Sequence, residues 1–482
     1  KMDFVTSTME TMTPFDQHSV LWALIVGVIL AFLLGVAMGG NDVANAFGTS
    51  VGSGVLTIIQ AYILASIFET LGAVLVGWSV TDTMRKGVVD TQQYENNPKE
   101  LMLGQVAILG GCAGWLLLAT LCRMPVSTTH SLVGATLGFS IVLRGFHGIR
   151  WMKIVDIVVS WFLSPALSGT ISVILYMIVD FSVLRRKKPF ECGLRVLPIF
   201  YFICIAFDVL MITLDGSRLL KFDKIPVWGA IIISLGCGLI AAAFVQFVMK
   251  PRFNRKIQTT SSVMPVHAVT VNSDLETDRF DHRKSEKDVE QGQSFNGVRS
   301  FLGWFFPDKD RIEDDQTIKL FSTIQVFTAC FAGFAHGAND VSNAIAPLTA
   351  LVSIYKDKNA MQEGEVPIYI LLYGVFGICV GLWTLGHRVI RTVGTNMSEI
   401  NPATGFTIEF GAAMTALISS KLGLPISTTH CLVGSVVAVG VLKTREGIQW
   451  RIFRNIVISW VVTVPVSGLL SAGIMLLLKF AL

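Results

Sequence analysis

Gly39-Gly40-Asn41-Asp42-Val43-Ala44-Asn45-Ala46 returns nearly unchanged as Gly337-Ala338-Asn339-Asp340-Val341-Ser342-Asn343-Ala344, an offset of 298 residues. A second block, Pro125-Val126-Ser127-Thr128-Thr129-His130, returns as Pro425-Ile426-Ser427-Thr428-Thr429-His430 at an offset of 300. A looser echo pairs Gly148, Trp151, Ser160 and Trp161 with Gly447, Trp450, Ser459 and Trp460 at 299. Three ordered matches at nearly one spacing mark an internal duplication.

Both copies lie in a chain that is 52% hydrophobic and only 15% charged, with a mean hydropathy of +0.61. That composition excludes an ordinary soluble domain. A net charge of +4, gathered in short clusters beside apolar runs, argues against nucleic-acid binding. The eight cysteines form no Cys-x-x-Cys pair, so neither a disulfide framework nor a zinc site is expected.

Apolar runs long enough for about 20 helical residues fall near 20–38, 55–79, 101–122, 154–179, 194–213, 227–249, 321–338, 366–390 and 454–480. Shorter ones at 127–143, 404–420 and 427–442 suggest re-entrant hairpins. The fold class expected is an all-α polytopic membrane protein of about 12 apolar segments, arranged as two inverted repeats. Inversion follows from parity: each hairpin returns the chain to the side it left, so an odd number of crossings separates the copies. The expected divisions are an outer tail at 1–19, a first repeat at 20–180, linking helices at 181–249, a cytoplasmic and largely disordered loop at 250–320, and a second repeat at 321–482. Within that loop, Phe301-Leu302-Gly303-Trp304-Phe305-Phe306 is expected to lie on the membrane surface or to dock elsewhere. The first apolar run lacks the basic start and cleavage site of a signal peptide, so both termini are expected outside. Arg185, Arg186, Lys187 and Lys188 then lie inside, in line with the positive-inside tendency. The Asn396-Met397-Ser398 sequon also falls inside and is discounted.

A carboxylate inside an apolar run costs about 2.5–3.5 kcal/mol on insertion scales, so Asp42 and Asp340 call for a partner or a cavity. With Asn41, Asn45, Asn339 and Asn343 they offer the oxygen ligands that suit a hard cation such as sodium. Gly39, Gly40 and Gly337 would let the helix unwind and expose carbonyls. The bland alternative, an Asn-Asp helix cap, is weakened by the duplication. At the second block, proline before a helix start, followed by hydroxyls, sets unpaired N–H groups and side-chain donors at the positive end of the helix dipole. Ser127, Thr128, Thr129, Ser427, Thr428 and Thr429 would together surround a tetrahedral oxyanion. Capping by Ser127 and Ser427 accounts for the serines and leaves the threonines unexplained. No arginine stands at either site, so adjacent sodium ions would balance the anion's charge. Glu69 and Glu409 are further intramembrane carboxylates expected to couple transport, Gln105 is a milder polar counterpart, and His130, His336 and His430 are candidates for tuning a pH response.

These two duplicated blocks resemble the inorganic phosphate transporter (PiT) family of sodium-phosphate cotransporters, over roughly 20–180 and 320–480. The resemblance implies inverted repeats, an outside N-terminus, a large cytoplasmic loop and alternating access. It implies that Asp42 and Asp340 with their asparagines hold sodium, that the serine and threonine hydroxyls hold phosphate, and that Glu69 and Glu409 match acidic positions linked to transport. Ala338 departs from the motif's second glycine. Asp42 and Asp340 would also accept a hydrogen bond from protonated phosphate, which sulfate lacks. The function expected is sodium-coupled symport of phosphate in the plasma membrane, with no cofactor and no enzyme activity; phosphate, sodium, the lipid bilayer and a second copy of the chain are the partners considered. Proton coupling, sulfate as cargo, a channel and a phosphate-ester enzyme are the competing readings, the last without a converging nucleophile, base and metal.

Overall fold

The computed structural model describes residues 15–87, 90–147, 149–214, 222–253, 298–308, 311–362, 364, 366–394, 397–422, 426–443 and 448–482. Most of the expected loop, Asn396 of the sequon, Pro425, Gly148 and Gly447 lie outside the described residues.

The first repeat comprises α1 (Gln17–Asp42), α2 (Ala44–Gly52), α3 (Ile58–Gly87), α4 (Pro98–Leu121), α5 (Thr128–Arg144) and α6 (Trp151–Val179). Two helices follow, α7 (Pro189–Thr213) and α8 (Val227–Phe244), then a short α9 (Val298–Phe305). The second repeat comprises α10 (Asp315–His336), α11 (Ser342–Asp357), α12 (Ile368–Leu385), a short α13 (His387–Gly394), α14 (Pro402–Lys421), α15 (Thr428–Lys443) and α16 (Trp450–Leu478). Among the described residues nine helical stretches are long and apolar enough to cross a bilayer. The three shorter apolar runs fall on α5, α14 and α15. Local chemistry sets several starts. Prolines open α4 and α14, where a missing N–H costs nothing, and Asn401 with Thr404 closes a capping box on α14. Ser127 accepts from His130 N at 3.4 Å to begin α5, and Ser427 accepts from His430 N at 3.3 Å to begin α15.

Side chains such as Ile29 (56% exposed), Ile240 (72%) and Leu469 (73%) face outward in a way that only a lipid surround makes favourable. Inside, the repeats share their cores. One core joins α1, α4 and α5 to α11 and α12, and the other joins α2 and α3 to α10, α14 and α15 with help from α7. The exchange is reciprocal: α5 packs on α16, and its counterpart α15 packs on α6. At these crossings a methyl built on Gly468 would lie 3.0 Å from the Gly134 carbonyl oxygen, and one on Gly169 would lie 3.0 Å from that of Gly434. Such i-to-j and j-to-i contacts are the mark of an approximate twofold axis.

The glycines of the first motif act differently from the sequence expectation. Gly39 and Gly40 remain inside α1, and a Cβ on Gly39 would strike the Ile378 carbonyl. Gly337 is pressed against the backbone of Glu69 in the same manner. Close helix approach uses these glycines, and the perturbations that bend the chain are smaller than unwinding: a turn at Val43 and one π turn over Gly337–Val341.

The Phe301–Phe306 run docks on the helix bundle. Arg185 donates to the carbonyls of Trp304 (2.7 Å) and Phe305 (3.1 Å), and its guanidinium lies 3.8 Å from the Phe181 ring centre. Arg185 also pairs with Asp180 through two hydrogen bonds, and Asp180, fully buried, takes a third from Arg311 at 2.6 Å. Beyond Arg311, Glu313 binds Lys443 at 3.0 Å and Asn401. The return from the central loop therefore ties the end of α6 to the ends of α14 and α15. Arg311→Met is expected to lower stability on the order of 1.5–3 kcal/mol, the worth of a hydrogen bond to a charged group. Adding Asp180→Asn should restore part of it, since the buried group that lost a donor then carries no charge. An unchanged unfolding midpoint in detergent would mean that Arg185 alone satisfies Asp180.

Candidate functional site

The site forms where the N-termini of α5 and α15 meet between the two bends. Thr128 donates to Asp42 Oδ2, and Thr428 donates to Asp340 Oδ2 at 2.8 Å. These contacts stay within a repeat. The next pair crosses between repeats: Asn45 Nδ2 donates to Thr429 Oγ1 at 2.9 Å, and Asn343 Nδ2 to Thr129 Oγ1 at 3.2 Å. Thr129 then donates to the Ile426 carbonyl and Thr429 to the Val126 carbonyl, each at 3.3 Å. Eight side chains from four segments close one buried centre, in which Asp42 and Asp340 are 1% and 2% exposed.

Not every candidate residue turns toward that centre. Asn41 is spent on the first hairpin, donating to Thr120 Oγ1 (3.0 Å) and the Met124 carbonyl (2.9 Å) and accepting from Val126 N (3.0 Å). It therefore fixes where α5 begins. Ser127 and Ser427 use their oxygens as caps, which leaves each hydroxyl hydrogen available. In contrast, Asp42 Oδ1, Asn343 Oδ1 and Asn339 Nδ2 are buried without any hydrogen-bond partner. Each unsatisfied group costs about 1–3 kcal/mol, so the arrangement asks for ligands: two bare acceptors suit a cation, and a bare donor suits an anion.

The two carboxylates are also unequal. His336, one turn before Asp340, places Nε2 at 3.0 Å from Asp340 Oδ2 and Nδ1 at 3.2 Å from Glu69 Oε1. One atom each from Asp42, His336 and Asp340 lie within 4.8 Å of one another. Glu69 thus belongs to the centre through His336. Glu409 lies apart in a pocket of its own, where its carboxylate accepts from Thr49 (2.6 Å), Ser50 (2.6 Å), Thr328 (2.9 Å) and Gln325 (3.2 Å). Reading the sequence missed those four donors. Their signal was present as Thr49-Ser50 one helical turn beyond Asn45, and as Gln325 and Thr328 inside an apolar run. Gln105 follows Pro98 by seven residues, as Glu409 follows Pro402, so it holds the matching place on α4. His130 and His430 stand behind the threonines, with ring centres 4.5 Å apart, His130 against Trp161 at 4.4 Å and His430 against Trp460 at 3.7 Å.

A duplicated helical membrane bundle that closes a buried polar centre between its halves, with bent helices on either side, is the architecture of a secondary transporter. A model of the phosphate transporter family matches residues 38–471. Sodium-dependent phosphate transporter 1-A of Danio rerio is 35% identical, with 97% of this chain and 96% of the relative covered. Sodium-dependent phosphate transporter 1 of Mus musculus is 34% identical over 99% and 98%. A solved structure titled "The sodium-dependent phosphate transporter" superposes with a TM-score of 0.78 at 32% identity, covering 96% of this chain and all of that one. The chain belongs to the phosphate transporter family.

Proposed function

We propose that this chain is a sodium-coupled symporter of inorganic phosphate, with anion and cations held together at the meeting of α5 and α15. The observation that carries the reading is the reciprocal closure of the centre: hydroxyl-bearing helix starts face each other between two aspartates, with unpaired acceptors and an unpaired donor left over. Thr128, Thr129, Thr428 and Thr429, with the hydroxyl hydrogens of Ser127 and Ser427, supply donors to phosphate, and Asp42 and Asp340 accept from its protonated oxygens. Asp42, Asn45, Asn339, Asp340 and Asn343 supply oxygens to sodium, while Asn41 holds the hairpin in place. Sodium and phosphate then tighten each other's binding by one common factor.

The repeats are inverted, the termini lie outside, the loop lies in the cytoplasm, and the two shared cores exchange access to the centre. Two reciprocal sets of packing partners support the twofold relation of the repeats, and the parity of crossings supports their inversion. Proton coupling is the second reading, favoured by His336 standing between Glu69 and Asp340. Labelled phosphate uptake into liposomes separates the two. Uptake should follow an imposed sodium gradient with no proton gradient present, and excess sulfate should leave it unchanged. Uptake that follows the proton gradient alone would overturn the coupling ion, and inhibition by sulfate would overturn the cargo.

A further inference from the structure

The outward face of α6 carries a feature that the transport site does not use. A cavity of about 700 Å³ opens between α6, α15 and α16, lined by Trp161, Pro165, His430, Gly434 and Trp460. A second, of about 520 Å³, lies further along α6 under Phe305 and Phe306 and is bordered by Ser182 and Arg186. Both are lined by Val173 and Ile174, so they are neighbours along one groove. The groove faces lipid, as the exposure of Phe162 (74%) and Val461 (63%) on its rims shows.

Its two ends are polar. At the outer end Arg185 is consumed by Asp180 and two carbonyls, whereas Arg186 is exposed and turned to the cavity, with Lys187 and Lys188 next in the chain. At the inner end stands His430, 1% exposed; its Nδ1 meets the Trp161 carbonyl at 3.3 Å, which makes that nitrogen the donor, and Nε2 is left as an acceptor with no partner. An apolar slot with a cationic mouth beside a bilayer matches the chemistry of an anionic phospholipid. The length agrees. Ser182 lies nine residues from Val173, about 13 Å of helix, and one leaflet is about 15 Å deep, so an acyl chain starting at Arg186 reaches the larger cavity near mid-bilayer.

We propose that an anionic phospholipid occupies this groove, its headgroup on Arg186 and its chain along α6 toward His430, and that its occupancy alters the transport rate. The second half rests on the transport reading; the first does not. Its route is short, because His430 directly follows Thr428 and Thr429 on α15 and the groove runs along the α6–α15 seam.

Native mass spectrometry of the full chain, extracted from vesicles of equal phosphatidylcholine and phosphatidylglycerol, tests the binding. Wild type should retain phosphatidylglycerol selectively, and Arg186→Gln should weaken retention about fivefold, the loss of one basic contact at about 1 kcal/mol. Lys188→Gln, which removes a residue already paired with Glu191 at 3.0 Å, should retain it. Val173→Trp, which blocks the junction of the two cavities, should also lose it. Equal retention of the two lipids, retention by Arg186→Gln at the wild-type level, or release of the lipid by millimolar inorganic phosphate would overturn the site. Phosphate uptake in vesicles with and without phosphatidylglycerol tests the second half: a rate change in wild type that is absent in Val173→Trp supports it, and equal rates in wild type overturn it while leaving the binding result intact.

Discussion

Asp340→Asn should reduce sodium-driven phosphate uptake by about a hundredfold or more, and Asp42→Asn should do the same. Asp340 accepts from Thr428 at 2.8 Å and from Asn343 at 3.3 Å, and faces His336 at 3.0 Å. Asparagine keeps the shape and removes the charge. Half of its head becomes a donor, which must then confront the Thr428 hydroxyl, the Asn343 amide or the imidazole. A cation in a water-excluded place loses a full charge, and a hundredfold corresponds to about 2.7 kcal/mol, within the range for hydrogen-bonded charges. Uptake into proteoliposomes across a series of sodium concentrations is the measurement. Because anion and cation affinities are linked, the variant should need more sodium at a fixed phosphate concentration and more phosphate at a fixed sodium concentration. A sodium activation curve that overlays wild type would remove these aspartates from the cation site.

The second large effect is expected at Glu409. All four of its partners point donors at the carboxylate: two hydroxyls from the first repeat and a hydroxyl and an amide from α10. Glu409→Gln removes the charge on which four hydrogen bonds converge, and its NH₂ must either meet the Thr49, Ser50 and Gln325 donors or turn Thr328 from a donor into an acceptor. A stability loss on the order of 2–4 kcal/mol follows, along with at least about a tenfold loss of uptake, because Thr49 and Ser50 belong to α2, which carries Asn45 into the centre. Thermal unfolding in detergent reads the first quantity and liposome uptake the second. If the glutamine variant unfolds at the wild-type temperature, the four-donor pocket is not what holds α2 in place. If it is destabilised yet transports at the normal rate, the pocket is structural alone.

Much of this architecture is legible in the amino-acid sequence. Helix positions followed from apolar run lengths, since a bilayer tolerates only segments of a certain length whose backbone is internally satisfied. The residues of the centre were legible because duplication repeated them: a lone Asn-Asp or Ser-Thr-Thr is an ordinary cap, and recurrence at one spacing is not. Serine did prove to be the cap in both copies, and the second of the two threonines after it, Thr129 and Thr429, took a partner from the other repeat. Gly39, Gly40 and Gly337 were harder, because a glycine that allows unwinding and one that allows close helix contact look identical in sequence. Only the position of Ile378 and Glu69 against them separates the two. Asn41 and Asn45 belong to one motif, four residues apart, and yet one pins a hairpin while the other reaches across the axis.

By itself the amino-acid sequence determined that this is a duplicated, helical membrane protein with acidic, amide-bearing bends and hydroxyl-rich helix starts in each half. Length, hydropathy and recurrence are properties of the chain, and they need no neighbours to be read. The tertiary structure alone decided the partners: which asparagine meets which threonine, that His336 joins Glu69 to Asp340, and that Glu409 sits among four donors far away in sequence. Apart from His336 and Asp340, which are one helical turn apart, those contacts join residues from 81 to 384 positions apart. Such pairings depend on how whole helices pack, which no local pattern encodes. One inequality lies in the sequence itself: His336 stands at the place that Met38 holds in the first repeat, and packing sets it 3.0 Å from Asp340 and within 4.8 Å of Asp42.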